Sequence, residues 1–237
     1  MDNQLFCSIC HKPYVMQKYE YGTSFVNVPV AQCNCEEKAL KDAEEEEKER
    51  ERVRRMDALN LPPIFAPYRL KDLTCEHSGD ALPYVEGFKP RRSKGLFIYG
   101  PNGNGKTTLA AVICKELAYR GYRVLFTTMT EMLDKMEFGI GSNRALQAQR
   151  VLKELLTYDF VMFDDYGREN YTPLRLQNVF QIVDRLYKYR VVFGVTVNPE
   201  CMDRLAHIPE LAAIDDRMRQ VLMQWEFVKP SLRGAQK

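Results

Sequence analysis

The stretch Gly100-Pro101-Asn102-Gly103-Asn104-Gly105-Lys106-Thr107 constrains this chain more than any other, because it satisfies G-x-x-x-x-G-K-[ST] at every fixed position. An apolar run of strand type, Gly95 to Tyr99, leads into it, and Thr107-Thr108-Leu109-Ala110-Ala111-Val112-Ile113 leads out with helical character. Glycines let such a loop curl without Cβ clashes, so successive backbone N–H groups converge on one anion at the N-terminus of the helix. In that context Gly100 to Thr108 form a cradle for the phosphates of ATP, with Lys106 reaching the outer phosphates and Thr107 placing a hydroxyl on Mg²⁺. The plainer alternative is a glycine-rich turn ahead of a helix; it leaves the shared register of strand, loop, lysine, threonine and helix without a reason.

A second signature lies downstream. Tyr158-Asp159-Phe160-Val161-Met162-Phe163-Asp164-Asp165 reads as a buried strand ending in two carboxylates. Asp164 is placed to hold the Mg²⁺ shell, and Asp165 to orient or deprotonate the attacking water. Strands commonly end in acidic turn residues; the phosphate loop upstream makes this one its expected partner. Val191 to Asn198 is a further buried strand with a polar end, where Asn198 is positioned to hold the water near the γ-phosphate or, more plainly, to make the turn before Pro199. Between these segments the helix through Leu109, Val112, Ile113 and Leu117 stops near Gly121, and Tyr122 to Thr127 reads as a strand. Thr130 to Met136 and Arg144 to Leu156 are helical, separated by a break over Gly139 to Asn143, and Leu174 to Tyr189 is an amphipathic helix. Strands alternating with helices predict an α/β fold with a parallel sheet, whose carboxyl ends gather Lys106, Asp164 and Asn198.

The amino-terminal segment has a different chemistry. Cys7-x-x-Cys10 and Cys33-x-Cys35 are two close pairs, together the four ligands of a closed tetrahedral Zn²⁺ site. A metal would stabilise a segment too short to build its own core. His11 or His77 can replace one ligand, and four ordinary thiols are the plainer reading. Cys75, Cys114 and Cys201 stand alone as small core residues. From Glu36 to Asn60 the chain carries ten acids and seven bases. Glu37/Lys41, Glu44/Lys48, Glu46/Arg50 and Glu51/Arg55 follow i, i+4 spacing with the acid first, which predicts a solvated helical spacer. Leu40, Val53, Met56 and Leu59 are too few for a coiled-coil seam, and Leu61-Pro62-Pro63 stops the helix. The expected organisation is a zinc module over residues 1–36, a charged linker over 37–60 and an ATPase domain over 61–237.

Composition enters at this point. With 45% hydrophobic and 28% charged residues over 237 positions, the chain has the balance of a soluble globular protein. Met1 to Phe6 carry no basic n-region, and no segment approaches membrane-spanning length, so the expectation is a cytoplasmic protein with no membrane partner. Its seven cysteines are then reduced thiols or metal ligands. A net charge of +2 does not announce a nucleic-acid protein by itself.

The order of motifs resembles the DnaC/DnaI-type helicase loaders, AAA+ ATPases of bacteria and their phages, and the related IstB-type transposition helpers. The resemblance runs from about Leu61 to Arg233 and rests on Leu61 to Phe65, Gly100 to Leu109, Leu117 to Phe126, Phe160 to Gly167, Val179 to Tyr189 and Thr196 to Pro199. It implies a P-loop three-layer sandwich in which Asn198 is the sensor 1 residue. It also implies that Asp215-Asp216-Arg217-Met218-Arg219 carries the arginine finger that acts on ATP in a neighbouring subunit, with Arg217 fitting best and Arg219 second. Two surface helix arginines are the plainer reading. Pro230-Ser231-Leu232-Arg233 has proline where the family ending Gly-x-Ser-x-Arg has glycine, and Thr196-Val197-Asn198 stands for Thr-Ser-Asn. Few residues remain for a helical lid, so the resemblance implies self-association to complete the site. The Cys-rich module resembles the helicase-binding region of the DnaI branch in arrangement. The expected function is an ATP-dependent loader that binds a hexameric replicative helicase through Met1 to Asn60 and delivers it onto single-stranded DNA, with Phe138, Arg144, Arg168 and Tyr171 offered to the DNA. Two rivals remain: a transposition helper binding duplex DNA and a transposase, and a stand-alone small-molecule kinase, which would need its own lid and no arginine from a neighbour.

Overall fold

The computed structural model describes residues 5–22, 24–138 and 142–229. The chain divides into two compact units, Met1–Val53 and Arg54–Lys237.

In the smaller unit, β1 (Tyr14–Tyr21) and β2 (Ser24–Ala31) form an antiparallel hairpin in which Tyr14 pairs with Ala31 and Tyr21 with Ser24. This register brings the residues before β1 and after β2 to the same open end. Helix α1 (Cys35–Ala58) then begins, with Glu36 and Glu37 in its first turn and no buried residue along its length. Glu37–Lys41 at 2.7 Å and Glu46–Arg50 at 3.5 Å close as i, i+4 pairs, and Glu49–Arg52 closes at i, i+3. The end of this charged helix belongs to the larger unit: Leu59 is fully buried there, Met56 packs beside it, and the Leu59 carbonyl accepts the Phe126 N–H at 3.0 Å.

The larger unit is built on a five-stranded sheet in the order β4-β5-β6-β3-β7, every pairing parallel. Its strands are β3 (Gly95–Tyr99), β4 (Val124–Thr128), β5 (Phe160–Tyr166), β6 (Val192–Val197) and β7 (Leu222–Glu226). Each strand returns through helix: α3 (Lys106–Tyr119) after β3, α4 (Met129–Glu137) and α5 (Ser142–Leu155) after β4, α6 (Pro173–Lys188) after β5, and α7 (Pro199–Ala206) and α8 (Ala212–Val221) after β6. A short helix α2 (Ser78–Glu86) precedes β3.

Alternation along the strands produces two core layers. Phe160 and Met162 of β5 enter the layer shared with α2 and α3, whereas Val161 and Phe163 enter the layer shared with α4, α5, α6 and α8. Helices on both faces of a parallel sheet make the expected three-layer α/β sandwich. Local signals place the helix starts: Thr128 and Glu131 form a reciprocal capping box on α4, and the Thr172 hydroxyl accepts the Arg175 N–H ahead of Pro173 on α6. Strand β7, helix α2 and the hairpin were not expected from sequence.

Candidate nucleotide site and metal centre

At the carboxyl end of β3 the chain turns at Gly100 with φ +137°, where an added Cβ would lie 2.1 Å from the Phe227 carbonyl oxygen. The Phe227 N–H donates to the Tyr99 carbonyl at 2.7 Å, so the chain leaving β7 closes the space that a side chain would need. Gly105, at φ +99°, turns the loop into α3, whose first residue is Lys106.

Lys106 is only 5% exposed. Its ammonium donates to the carbonyls of Gly100 at 2.7 Å and Pro101 at 2.6 Å and to Asn104 Oδ1 at 3.3 Å. The buried charge is thus held by the loop itself. Asn104 Nδ2 is a buried donor without an acceptor among the described residues. An orphaned donor inside a concave, glycine-lined loop carrying a lysine fits a phosphate oxygen.

The two carboxylates sit on a β-bulge. Phe163 pairs with Val195 and Tyr166 with Val197, which leaves Asp164 and Asp165 opposite Thr196 alone. Consecutive strand residues ordinarily face opposite sides; the bulge, with Asp165 at φ +54°, lets both engage one hydroxyl. Thr196 donates to Asp164 Oδ1 at 2.6 Å and accepts the Asp165 N–H at 2.8 Å. Asn198 Nδ2 donates to Asp165 Oδ1 at 3.1 Å, and Arg168 binds Asp165 Oδ2 at 2.9 Å.

Burial pushes the Asp164 carboxyl above its ordinary value, while hydrogen bonds from the Thr196 and Thr107 hydroxyls pull it back. The Thr107–Asp164 contact puts a hydroxyl and a carboxylate side by side at the mouth of the loop, a hard oxygen pair of the kind Mg²⁺ takes. The phosphate loop, Asp164, Asp165 and Asn198 therefore form one connected group. Thr196, which holds both acids, was not assigned a role from sequence; a polar residue inside the otherwise apolar run Val191 to Val197 was the available signal.

Glu169, buried behind this site, was also missed. It accepts the Gly167 N–H at 2.8 Å and the Tyr171 hydroxyl at 2.7 Å, and Arg204 donates to the Glu169 carbonyl at 2.9 Å. Tyr171 and Arg168 are thereby engaged within the loop after β5, whereas Phe138 and Arg144 are exposed. Arg217 lies on α8, 3.5 Å from Asp184 and 5.1 Å from the Phe180 ring centroid, among residues of α6. Arg219 pairs with Asp215 at 2.6 Å on the outer side of the same helix. Arg233 lies outside the described residues.

In the smaller unit the sulfurs of Cys7, Cys10, Cys33 and Cys35 all lie within 4.8 Å of one another. The hairpin register delivers one pair from each side, and Cys35 is the first residue of α1. Cys7 Sγ accepts the Ile9 N–H at 3.4 Å. His11, at φ +57°, turns the backbone so that the Lys12 amide pulls the Cys10 thiol down to about 7, and hydrogen bonding with Cys10 pushes Cys35 up to about 12. Four converging sulfurs, with amides directed at two of them, fit a structural Zn²⁺. Neither histidine is needed: His77 stacks on Trp225 at 5.3 Å and hydrogen-bonds Asp80 and the Glu226 carbonyl. Cys114 and Cys201 are buried as expected, and Cys75 packs against the core. Among the described residues no helix is long and apolar enough to cross a membrane.

Comparison with known proteins adds three findings. A family model described as "IstB-like ATP binding protein" matches residues 87–217, more than half of the 237-residue chain. The replicative helicase loader DnaC of Escherichia coli strain K12 is 28% identical over 179 residues, spanning 72% of this chain and 70% of that protein. The fold matches crystal structures of DnaI (TM-score 0.60, 21% identity, 71% of this chain and 95% of that one) and of the DnaC helicase loader (TM-score 0.59, 18% identity, 70% and 99%).

Proposed function

This chain belongs to the family of IstB-like ATP-binding proteins, and from that premise we propose that it hydrolyses ATP to deliver a hexameric replicative helicase onto single-stranded DNA. The observation that carries the reading is the connected set of contacts running from Thr107 through Asp164, Thr196 and Asp165 to Asn198 beside the phosphate loop. Such a set serves triphosphate hydrolysis and has no evident use in a merely structural turn.

Lys106 exchanges its carbonyl partners for the outer phosphates as ATP enters, and the loop amides and Asn104 take the remaining oxygens. Thr107 and Asp164 would hold Mg²⁺, which would supply charge neutralisation to the phosphates. Asp165, fixed by Asn198 and Arg168, orients the attacking water and receives its proton. Arg217 of one subunit reaches the site of the next, leaving Asp184 as subunits assemble. ATP then favours the assembled, DNA-gripping state, and hydrolysis releases it. The four-cysteine module holds zinc and docks on the helicase, and the protein works in the cytoplasm.

The alternative is a transposition helper that binds duplex DNA and a transposase, a reading favoured by 28% identity over 107 residues, 45% of this chain and 35% of that protein, to a "Putative insertion sequence ATP-binding protein" of Sinorhizobium fredii. Copurification separates the two. The full chain is expected to retain the replicative helicase, and a chain beginning at Arg54 to lose it. The shortened chain starts there because Met56 and Leu59 belong to the ATPase core. Retention of a transposase in place of the helicase would refute the loader reading.

A further inference from the structure

A second concave surface lies at the opposite end of the sheet from the phosphate loop. The turn before β3, the end of α6 leading into β6, and the end of α8 leading into β7 enclose a groove of about 560 Å³. Arg91, Arg92, Lys94, Lys188 and Arg190 line it, and no carboxylate among the described residues does. Asp184 pairs with Lys188 of the lining at 2.8 Å and with Arg217, and Asp216 accepts from Gln220.

The groove is built rather than merely fringed by cations. Lys89 and Ser93 close the turn through the Lys89 N–H to Ser93 Oγ bond at 2.8 Å and the Ser93 N–H to Lys89 carbonyl bond at 2.9 Å. Arg91 bridges it to the far side, donating to the Tyr189 carbonyl at 3.2 Å and the Leu156 carbonyl at 2.6 Å. Arg91 and Arg190 both sit at positive φ, +62° and +53°, in a backbone region that arginine seldom occupies. Glycine would suit the position of Arg190 after α6 without strain; the chain puts a cation there. Tyr187, Lys188 and Arg190 line one side of it, and Tyr189, between them in sequence, is exposed and offers its carbonyl to Arg91.

We propose that this basal groove binds the sugar-phosphate backbone of single-stranded nucleic acid, with Arg92, Lys94, Lys188 and Arg190 meeting phosphates and Tyr189 stacking on a base. The assignment rests on the single-stranded DNA reading above and moves its contact surface away from Phe138, Arg144, Arg168 and Tyr171. Five lining cations, of which Lys188 is paired with Asp184, fit a polyanion, and exposed aromatic surface beside them favours nucleic acid over an acidic peptide. β3 enters from the groove at Gly95 and reaches the phosphate loop about 16 Å later, so bound strand leaves the ATP chemistry untouched.

The test is fluorescence anisotropy of a labelled oligothymidylate with the full-length protein over a salt series, with ATPase rate and Tm measured alongside. The Arg92→Ala/Lys94→Ala/Lys188→Ala variant is expected to bind at least about tenfold more weakly and to lose about two units of the log–log salt slope. Its ATPase rate and Tm are expected to stay unchanged, and Arg92→Lys/Lys94→Arg is expected to keep wild-type binding. Unchanged affinity and slope in the triple variant, with binding lost in Arg144→Ala/Arg168→Ala instead, would overturn the groove and leave the loader reading standing. No binding by the wild-type protein would take the DNA-delivery reading with it. Displacement by polyglutamate as effective as by unlabelled oligonucleotide would overturn the proposal in favour of an acidic protein ligand.

Discussion

In the proposed chemistry a single hydroxyl, that of Thr196, positions both acids. It carries one proton, gives it to Asp164, and has its oxygen occupied by the Asp165 amide, so both acids are oriented by the same atom. Thr196→Val keeps the shape and removes the hydroxyl; kcat for ATP is expected to fall about 10- to 100-fold, with Thr196→Ser restoring most of it. Equilibrium binding of a fluorescent ATP analogue without Mg²⁺ should hardly change, which separates positioning from general damage. At Gly100 the argument is steric. Gly100→Ala places a methyl 2.1 Å from a backbone oxygen at a φ that alanine avoids, and is expected to cost about 1–3 kcal/mol in urea unfolding and to abolish nucleotide binding. The loop residues were legible because the motif has fixed spacing and a mechanism. Thr196 was not, because its role depends on a bulge in a neighbouring strand that no spacing reveals.

Among the elements, the strands β3 to β6 were readable because parallel strands buried on both faces are written as unbroken apolar runs. β7 was not: it is a five-residue edge strand, LMQWE, in which only Leu222 and Trp225 are buried. Helix α2 carries Gly79 and Pro83, which mask its helical pattern. The hairpin was hidden for a different reason: nearly all of it is exposed, so its sequence has no clean period of two. Its order is therefore expected to come from the metal. One zinc per chain should be found in protein purified without chelator, and its removal should disorder the hairpin in NMR spectra while ATPase activity persists; four reactive thiols and no zinc would contradict this. The loop after β5 has its own support in Glu169, whose carboxyl burial pushes above its ordinary value of 4.5. Because the folded state binds that proton more tightly than the unfolded chain, stability relative to Glu169→Gln should rise as pH falls from neutral toward 4.5, measured by urea midpoints.

For the whole molecule, the sheet order puts the candidate nucleotide site at the carboxyl ends of the strands and a cationic groove at the amino ends, and the four cysteines cluster in the smaller unit. The account depends on a nucleotide site shared between subunits. Arg217 is held by Asp184 and two rings of α6, so it is available to ATP only by leaving that setting for a neighbour. The most direct measurement mixes Lys106→Ala protein with Arg217→Ala protein and follows phosphate release. Each alone is expected to be inactive, and the mixture to recover a substantial fraction of wild-type activity, since some interfaces then pair an intact loop with an intact arginine. Full activity of Arg217→Ala by itself, or no recovery on mixing, would contradict it.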